Sequence, residues 1–182
     1  MYSPPQIRHA TPEDAAALAA FGAQAFADTY RDLSDAQEIA DYVAEHFQPE
    51  LMAGVIQDAA CTVLLAWVDE QLAGYAIVKV EPAPDCVAGP DPIHLWRIYL
   101  GAAFIGRGLG AALMHEVHAV ARQRGARTLW LGVYDRNVRA VAFYERFGFT
   151  QVGGQEFLFG GQIYIDPVYA APVRTAELKE AC

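Results

Sequence analysis

Three glycines stand within five residues at Gly106-Arg107-Gly108-Leu109-Gly110, between an apolar run and an Ala/Leu-rich one. Glycine lets main chain approach a ligand closely, and successive N–H groups at a helix start attract anions. Arg107 adds a cation able to reach a phosphate. Phosphate binding is therefore the first chemistry this chain offers. Two familiar glycine signatures do not fit. A nucleoside-triphosphate loop ends in Gly-Lys-Ser/Thr, whereas Ala111 and Ala112 follow Gly110. A dinucleotide fingerprint needs a small residue where Leu113 stands, and an acid about 20 residues on, where the chain reads TLWLGV.

Other reactive side chains carry weaker signals. His115 and His118 share a helix spacing but lack a third ligand and the HExxH pattern, so they are expected on an exposed face, with no metal. Cys61, Cys86 and Cys182 are odd in number and widely spaced, which excludes a disulfide framework or a metal-ligand pair. Cys61 opens an apolar run and reads as a small buried hydrophobe.

The elements that must position the glycines follow from alternation and punctuation. HLWRIYL at 94–100 is a strand, 106 to about 124 a helix, 126–134 a strand and 137–147 a helix. Upstream, 6–9 is a short strand. Thr11, Pro12 and Asp14 supply a hydroxyl cap, a first-turn proline and an early acid for a helix through AAALAAFGAQAFADTY. Ile39, Tyr42, Val43 and Phe47 recur at helical spacing, and Pro49 ends or restarts that helix. Residues 61–68 and 72–81 form a hairpin about a turn at 69–71, and 82–92 is a Pro-rich loop. Strands over 149–152 and 162–169 close the chain. Trp67, Trp96 and Trp130 fall on strands, as core or as pocket wall. The fold class is α/β (α+β), one domain over 1–182, with residues from about 170 onward frayed.

Composition narrows the function. The chain is 54% hydrophobic, yet charged residues break its apolar stretches short of the ~18 residues a spanning helix needs. The start, MYSPPQIRHATPED, shows no secretory signal, so a cytoplasmic location is expected. A net charge of −9 argues against nucleic acid as a partner. Residues 1–96 hold three Lys/Arg against 15 Asp/Glu, whereas 97–146 hold eight Arg against three acids. Such asymmetry suits two differently charged ligands meeting between the halves.

The strand–loop–helix run at 94–113, followed by Asn137 and AVAFYERFGF at 140–149, resembles the GNAT superfamily of acetyl-CoA-dependent N-acetyltransferases. The likeness runs from IRHATPEDA through QLAGYAIV to the closing GF strand. AFADTY, RIYL, LWLGVYDRN and Asp166 resemble its PaiA-like polyamine acetyltransferase branch. The resemblance implies a mixed, mostly antiparallel sheet of six or seven strands, splayed at the fourth and fifth, with helices on both faces.

It also implies roles. Ile105, Gly106, Arg107, Gly108, Leu109 and Gly110 match the pyrophosphate loop, with Ile105 where Gln or Arg is usual. Ile98, Tyr99 and Leu100 match the strand that pairs with the pantetheine arm, where a free N–H could hold the acetyl oxyanion. Asn137 matches a cofactor-contacting Asn and also reads as a helix cap. Tyr144 matches the tyrosine near the sulfur, a general acid whose rival role is a core aromatic. An amine of pKa ~10.4 must lose a proton before attack. The glutamate that commonly does this is missing from HLWRIYL, which leaves His94, Glu81 or a bound water. Tyr30 and residues 31–34 are expected, by analogy, at the acceptor site. The expected acceptor is a small-molecule amine, a polyamine or other small cation suited to the acidic N-terminal half. An amino acid, an antibiotic or a protein amine is the alternative, as is a non-catalytic acyl-CoA-binding regulator. A monomer or a homodimer through the C-terminal strands is expected.

Overall fold

The computed structural model describes residues 4–175. A seven-stranded sheet has the order β1-β2-β3-β4-β5-β7-β6. Its strands are β1 (Gln6–His9), β2 (Cys61–Val68), β3 (Gln71–Lys79), β4 (Pro92–Leu100), β5 (Thr128–Gly132), β6 (Thr150–Phe159) and β7 (Gln162–Pro172). Every pairing is antiparallel except β4–β5. The helices are α1 (Ala15–Tyr30), α2 (Ala36–His46), α3 (Pro49–Gln57), α4 (Leu109–Gln123) and α5 (Val138–Arg146). The mixed sheet splayed between its fourth and fifth strands matches the expectation. No helix among the described residues is long and apolar enough to cross a membrane.

The two faces of the sheet are separated by residue parity. Leu64, Ala66, Ile93 and Leu95 meet Leu113, Met114 and Val117 of α4 on one face. Val63, Leu65, Tyr75 and Ile77 meet Leu18 of α1 and Met52 of α3 on the other. Leu113 is fully buried, so its truncation to Ala should cost about 2–5 kcal/mol. The start of α1 is held by Arg8, which donates to both Asp14 oxygens at 2.7 and 2.8 Å. The Thr11 N–H donates to the same carboxylate at 2.7 Å. The Arg8 bonds, foremost, hold that carboxyl down to about 2.

Two features of β4 shape the site. Its register against β3 slips between Ile77 and Val78, leaving Trp96 as the extra residue of a bulge. Trp96 and Arg97 can then face the same side, and the guanidinium lies 4.6 Å from the Trp96 ring. Beyond that, β4 pairs with β5 only over Pro92–His94 against Thr128–Trp130. The strands diverge past this point, and the rest of β4 is paired on the β3 side alone.

Several boundaries differ from the sequence reading. The helix expected from 106 starts at Leu109, because Gly106 (φ 78°) and Gly108 (φ 82°) adopt left-handed conformations that cannot continue a right-handed helix. The strand expected over 149–152 is ten residues long, because its inward residues alternate with exposed ones through Phe159. Of the stretch expected to fray, residues 170–172 complete β7, and 176–182 lie outside the described residues, Cys182 among them. His118 is buried rather than exposed (1% accessible), because it packs under β7's exit, where the Arg174 N–H donates to its Nδ1 at 3.1 Å. His115 is exposed as expected, and Cys61 is buried, its thiol pushed up to about 11, chiefly by burial.

Candidate active site

A cavity of about 860 Å³ occupies the splay between β4 and β5. One end is formed by Ile105, Gly106, Gly108 and Gly110 with Asn137, Arg139 and Arg146 of the α5 region. The other is walled by aromatic rings from α1, α2, β6 and β7. Ile98, Tyr99 and Leu100 of β4 run between them, with His94 and Tyr144 also on the wall.

The glycine end is an open turn at a helix start. An added Cβ at Gly106 or Gly108 would meet nothing within 4 Å, so open space lies over this turn. It leads into α4, whose N-terminal N–H groups carry the positive end of the helix dipole. Arg107 is exposed there, whereas Leu109 turns into the core and does not line the cavity. Asn137 caps α5 through the Ala140 N–H at 3.2 Å while also lining the cavity.

At the vertex of the splay, the two separate base candidates form one unit. His94 Nδ1–H donates to Glu81 Oε1 at 2.5 Å, and Lys79 Nζ donates to Glu81 Oε2 at 2.7 Å. Glu81 itself is not on the cavity wall. The bond fixes the tautomer that leaves Nε2 as a lone-pair acceptor. The His94 ring stacks on Trp130 at 3.7 Å and 5°. Burial lowers its pKa from the ordinary value of 6.5, with Glu81 opposing, so the neutral base is the resting form at neutral pH. Burial works against ionised Glu81, but its bonds to Lys79 and His94 hold it below the usual range.

Tyr144 lies in α5 with Phe143 and Phe149 packed edge-on at 5.5 and 5.8 Å. It is 9% accessible, and its hydroxyl bonds none of the described residues. Burial raises its pKa, so it stays protonated across the working range. A side chain on the wall with an uncommitted O–H is placed to donate.

The aromatic end contains residues that sequence reasoning missed. Phe26 stacks on Tyr42 at 4.5 Å, and Tyr42 reaches Phe157 and Phe159 at 6.3 and 5.6 Å. Of Tyr30 and residues 31–34, Tyr30, Leu33 and Ser34 line this end and Arg31 and Asp32 do not; Asp35, Glu38, Tyr134, Tyr164 and Asp166 line it too. Burial pushes the Tyr30 hydroxyl up to about 12, partly offset by a hydrogen bond with Tyr99. Burial, and then Asp135, raises the Asp166 carboxyl. The strand alternation of Gln155, Phe157 and Phe159 was the available signal for this wall.

Comparison with known proteins agrees with this geometry. The model of the acetyltransferase (GNAT) family matches residues 24–149. An uncharacterized N-acetyltransferase of Mycobacterium tuberculosis is 33% identical over 148 residues, 81% of this chain and 90% of that protein. Another uncharacterized N-acetyltransferase, from Lactobacillus delbrueckii subsp. lactis, is 27% identical over 155 residues, covering 85% and 90%. The crystal structure of a PaiA N-acetyltransferase from Thermoplasma acidophilum in complex with coenzyme A superposes with a TM-score of 0.77. It is 20% identical, over 93% of this chain and 99% of that one. From its family match and its full-length relatives, the chain belongs to the GNAT acetyltransferase family.

Proposed function

We propose that this acetyl-CoA-dependent N-acetyltransferase is a single-domain cytoplasmic enzyme that moves the acetyl group directly to a small cationic amine. The observation that carries the reading is the one cavity that joins the glycine turn, the open edge of β4, His94 and Tyr144 to an aromatic end rimmed by carboxylates. The solved PaiA relative supports the cofactor half, since that protein is described with coenzyme A. In this reading the turn at Gly106–Gly110 takes the pyrophosphate through main-chain N–H groups, so Ile105 costs little. Arg139 and Arg146 add positive charge at the same end. The unpaired side of β4 at Ile98–Leu100 takes the pantetheine arm.

The chemistry then divides among this chain's residues. His94 Nε2 accepts the proton that the ammonium must lose, and Glu81 stabilises the imidazolium that results. A main-chain N–H on the open edge of β4 holds the acetyl carbonyl oxygen as charge develops on it. Tyr144 O–H donates to the departing sulfur. The burial that raises its pKa would also raise the basicity of a thiolate in the same cavity, so donor and acceptor stay matched. Asp35, Glu38 and Asp166 draw the cationic acceptor to the aromatic end.

Acetyl-CoA-dependent release of free thiol across diamines, polyamines, amino acids, aminoglycosides and peptides tests this. Turnover is expected with small cationic amines and should fall steeply in Tyr144→Phe. Tight acetyl-CoA binding with no thiol release on any amine would overturn it.

A further inference from the structure

Arg97 is the charged residue that this mechanism leaves unused. It is 8% accessible and lines the acceptor side of the cavity. Its guanidinium lies 4.6 Å from the rings of both Phe47 and Trp96, which hold it in place without neutralising it. Nη1 is enclosed with no hydrogen-bond partner. Among the described residues no carboxylate pairs with it. The groups that feel its charge are Tyr75, Tyr99 and His46, none an anion at neutral pH. Other arginines behave differently: Arg8 grips Asp14, while Arg122, Arg124 and Arg127 each donate to an oxygen.

A buried cation without an anion is costly, and folds rarely retain one without a use. Cofactor phosphates do not supply that use, because Arg97 sits with Phe47 and Trp96 on the α1/α3 face, whereas the glycine turn enters α4 on the other. We infer that the acceptor carries, besides the amine to be acetylated, a carboxylate that pairs with Arg97. This rests on the acetyl transfer of the proposed function and replaces its cationic acceptor with one that also carries a negative charge. The acceptor is then an amino-acid-like zwitterion rather than a polyamine. A planar guanidinium matches a carboxylate with two parallel N–H···O bonds, and the Phe47 and Trp96 rings restrict its movement. Asp35 and Glu38 at the rim and the buried Asp166 serve the ammonium end of the same molecule, so one zwitterion satisfies both charges of the pocket.

Thiol release would be measured with saturating acetyl-CoA on ω-amino acids of two to six carbons. Matched n-alkylamines and diamines serve as controls, with the wild type, Arg97→Met and Arg97→Lys. At the best-fitting length the wild type should favour the amino acid over the diamine by ~10–100-fold in kcat/KM, mostly through KM. Arg97→Met should erase that preference and leave diamine turnover within ~3-fold. Arg97→Lys should restore part of it. The thermal midpoint of Arg97→Met should hold or rise, because an unpaired buried charge is gone. Diamines preferred by the wild type, or an equal loss on every acceptor in Arg97→Met, would overturn the inference. If no small amine turns over, the proposed function fails first. Propanoate titration of indole emission then decides Arg97 separately: saturable quenching lost in Arg97→Met supports a carboxylate site, and no quenching refutes it.

Discussion

The two ends of the cavity are built from different materials. The cofactor end comes from a contiguous turn and the starts of two helices, Gly106–Gly110 leading into α4 and Asn137 capping α5. Its chemistry is mainly that of main chain. The acceptor end is assembled from side chains of α1, α2, β4, β6 and β7, distant in sequence. Main-chain sites suit a ligand that never changes, since nearly any side chain preserves them. Side-chain walls can be altered one ring at a time, which suits a ligand that defines specificity. His94 and Tyr144, the proposed reacting groups, line the same cavity.

If that division is real, substitutions at the junction must cost most and must not behave as binding defects. His94→Gln should lower kcat by ~10²–10⁴ with the KM for acetyl-CoA little changed. In the wild type, kcat/KM should fall as pH drops through a value below 6.5, because burial depresses the His94 pKa. Glu81→Gln removes the group that opposes this depression, so the acid limb should move to still lower pH. A limb that moved upward would refute the dyad. Tyr144→Phe follows, with a loss of roughly 10²-fold in kcat; an unchanged kcat would return Tyr144 to a core aromatic.

Substitutions at the ends should separate by which KM they change. Gly108→Ala adds a methyl that touches nothing, so its cost is the left-handed conformation, about 1–2 kcal/mol. The KM for acetyl-CoA should rise ~5–30-fold and that for the acceptor should not. Phe157→Ala should do the reverse on a smaller scale, raising acceptor KM ~3–10-fold through loss of one ring from the wall. If either variant raised both constants alike, the two ends would form one cooperative site.

The same contrast explains what the sequence made legible. The glycine turn and the strand before it are local, so spacing located them and only the helix onset slipped, whereas the place of Asn137 at the site came from the family resemblance. The splay of β4 from β5 came from family resemblance, because no local pattern specifies where pairing stops. At the acceptor end, Tyr30 is legible only by analogy, and Phe157 and Phe159 are not, because strand alternation does not say which face meets a cavity. Arg97 lay in plain view in HLWRIYL, but its isolation depends on a bulge that only the register reveals. In the sequence His94 and Glu81 read as rivals, since residues 13 apart give no sign of a shared hydrogen bond.

Two buried histidines sharpen the comparison last, with no expected change in turnover. His94 has a carboxylate partner at the junction. His118, under the cofactor-side helix, has Arg174, Arg122 and His115 as neighbours and an unpartnered Nε2. Burial first, and those neighbours second, lower its pKa from 6.5 to about 4. The folded state therefore prefers the neutral ring, and the unfolded chain takes up the proton first as pH falls. The contribution is complete above pH 6.5 and is lost progressively toward pH 4, on the order of 1–3 kcal/mol. In His118→Asn, Oδ1 can still accept the Arg174 N–H, and position 118 no longer titrates in that window. Urea midpoints measured between pH 4 and pH 7 should fall more steeply with acid in the wild type than in the variant. Thiol release at neutral pH should be equal in both. Parallel stability curves would mean that His118 is protonated in the folded protein, and a loss of turnover would tie the far side of α4 to the reacting centre.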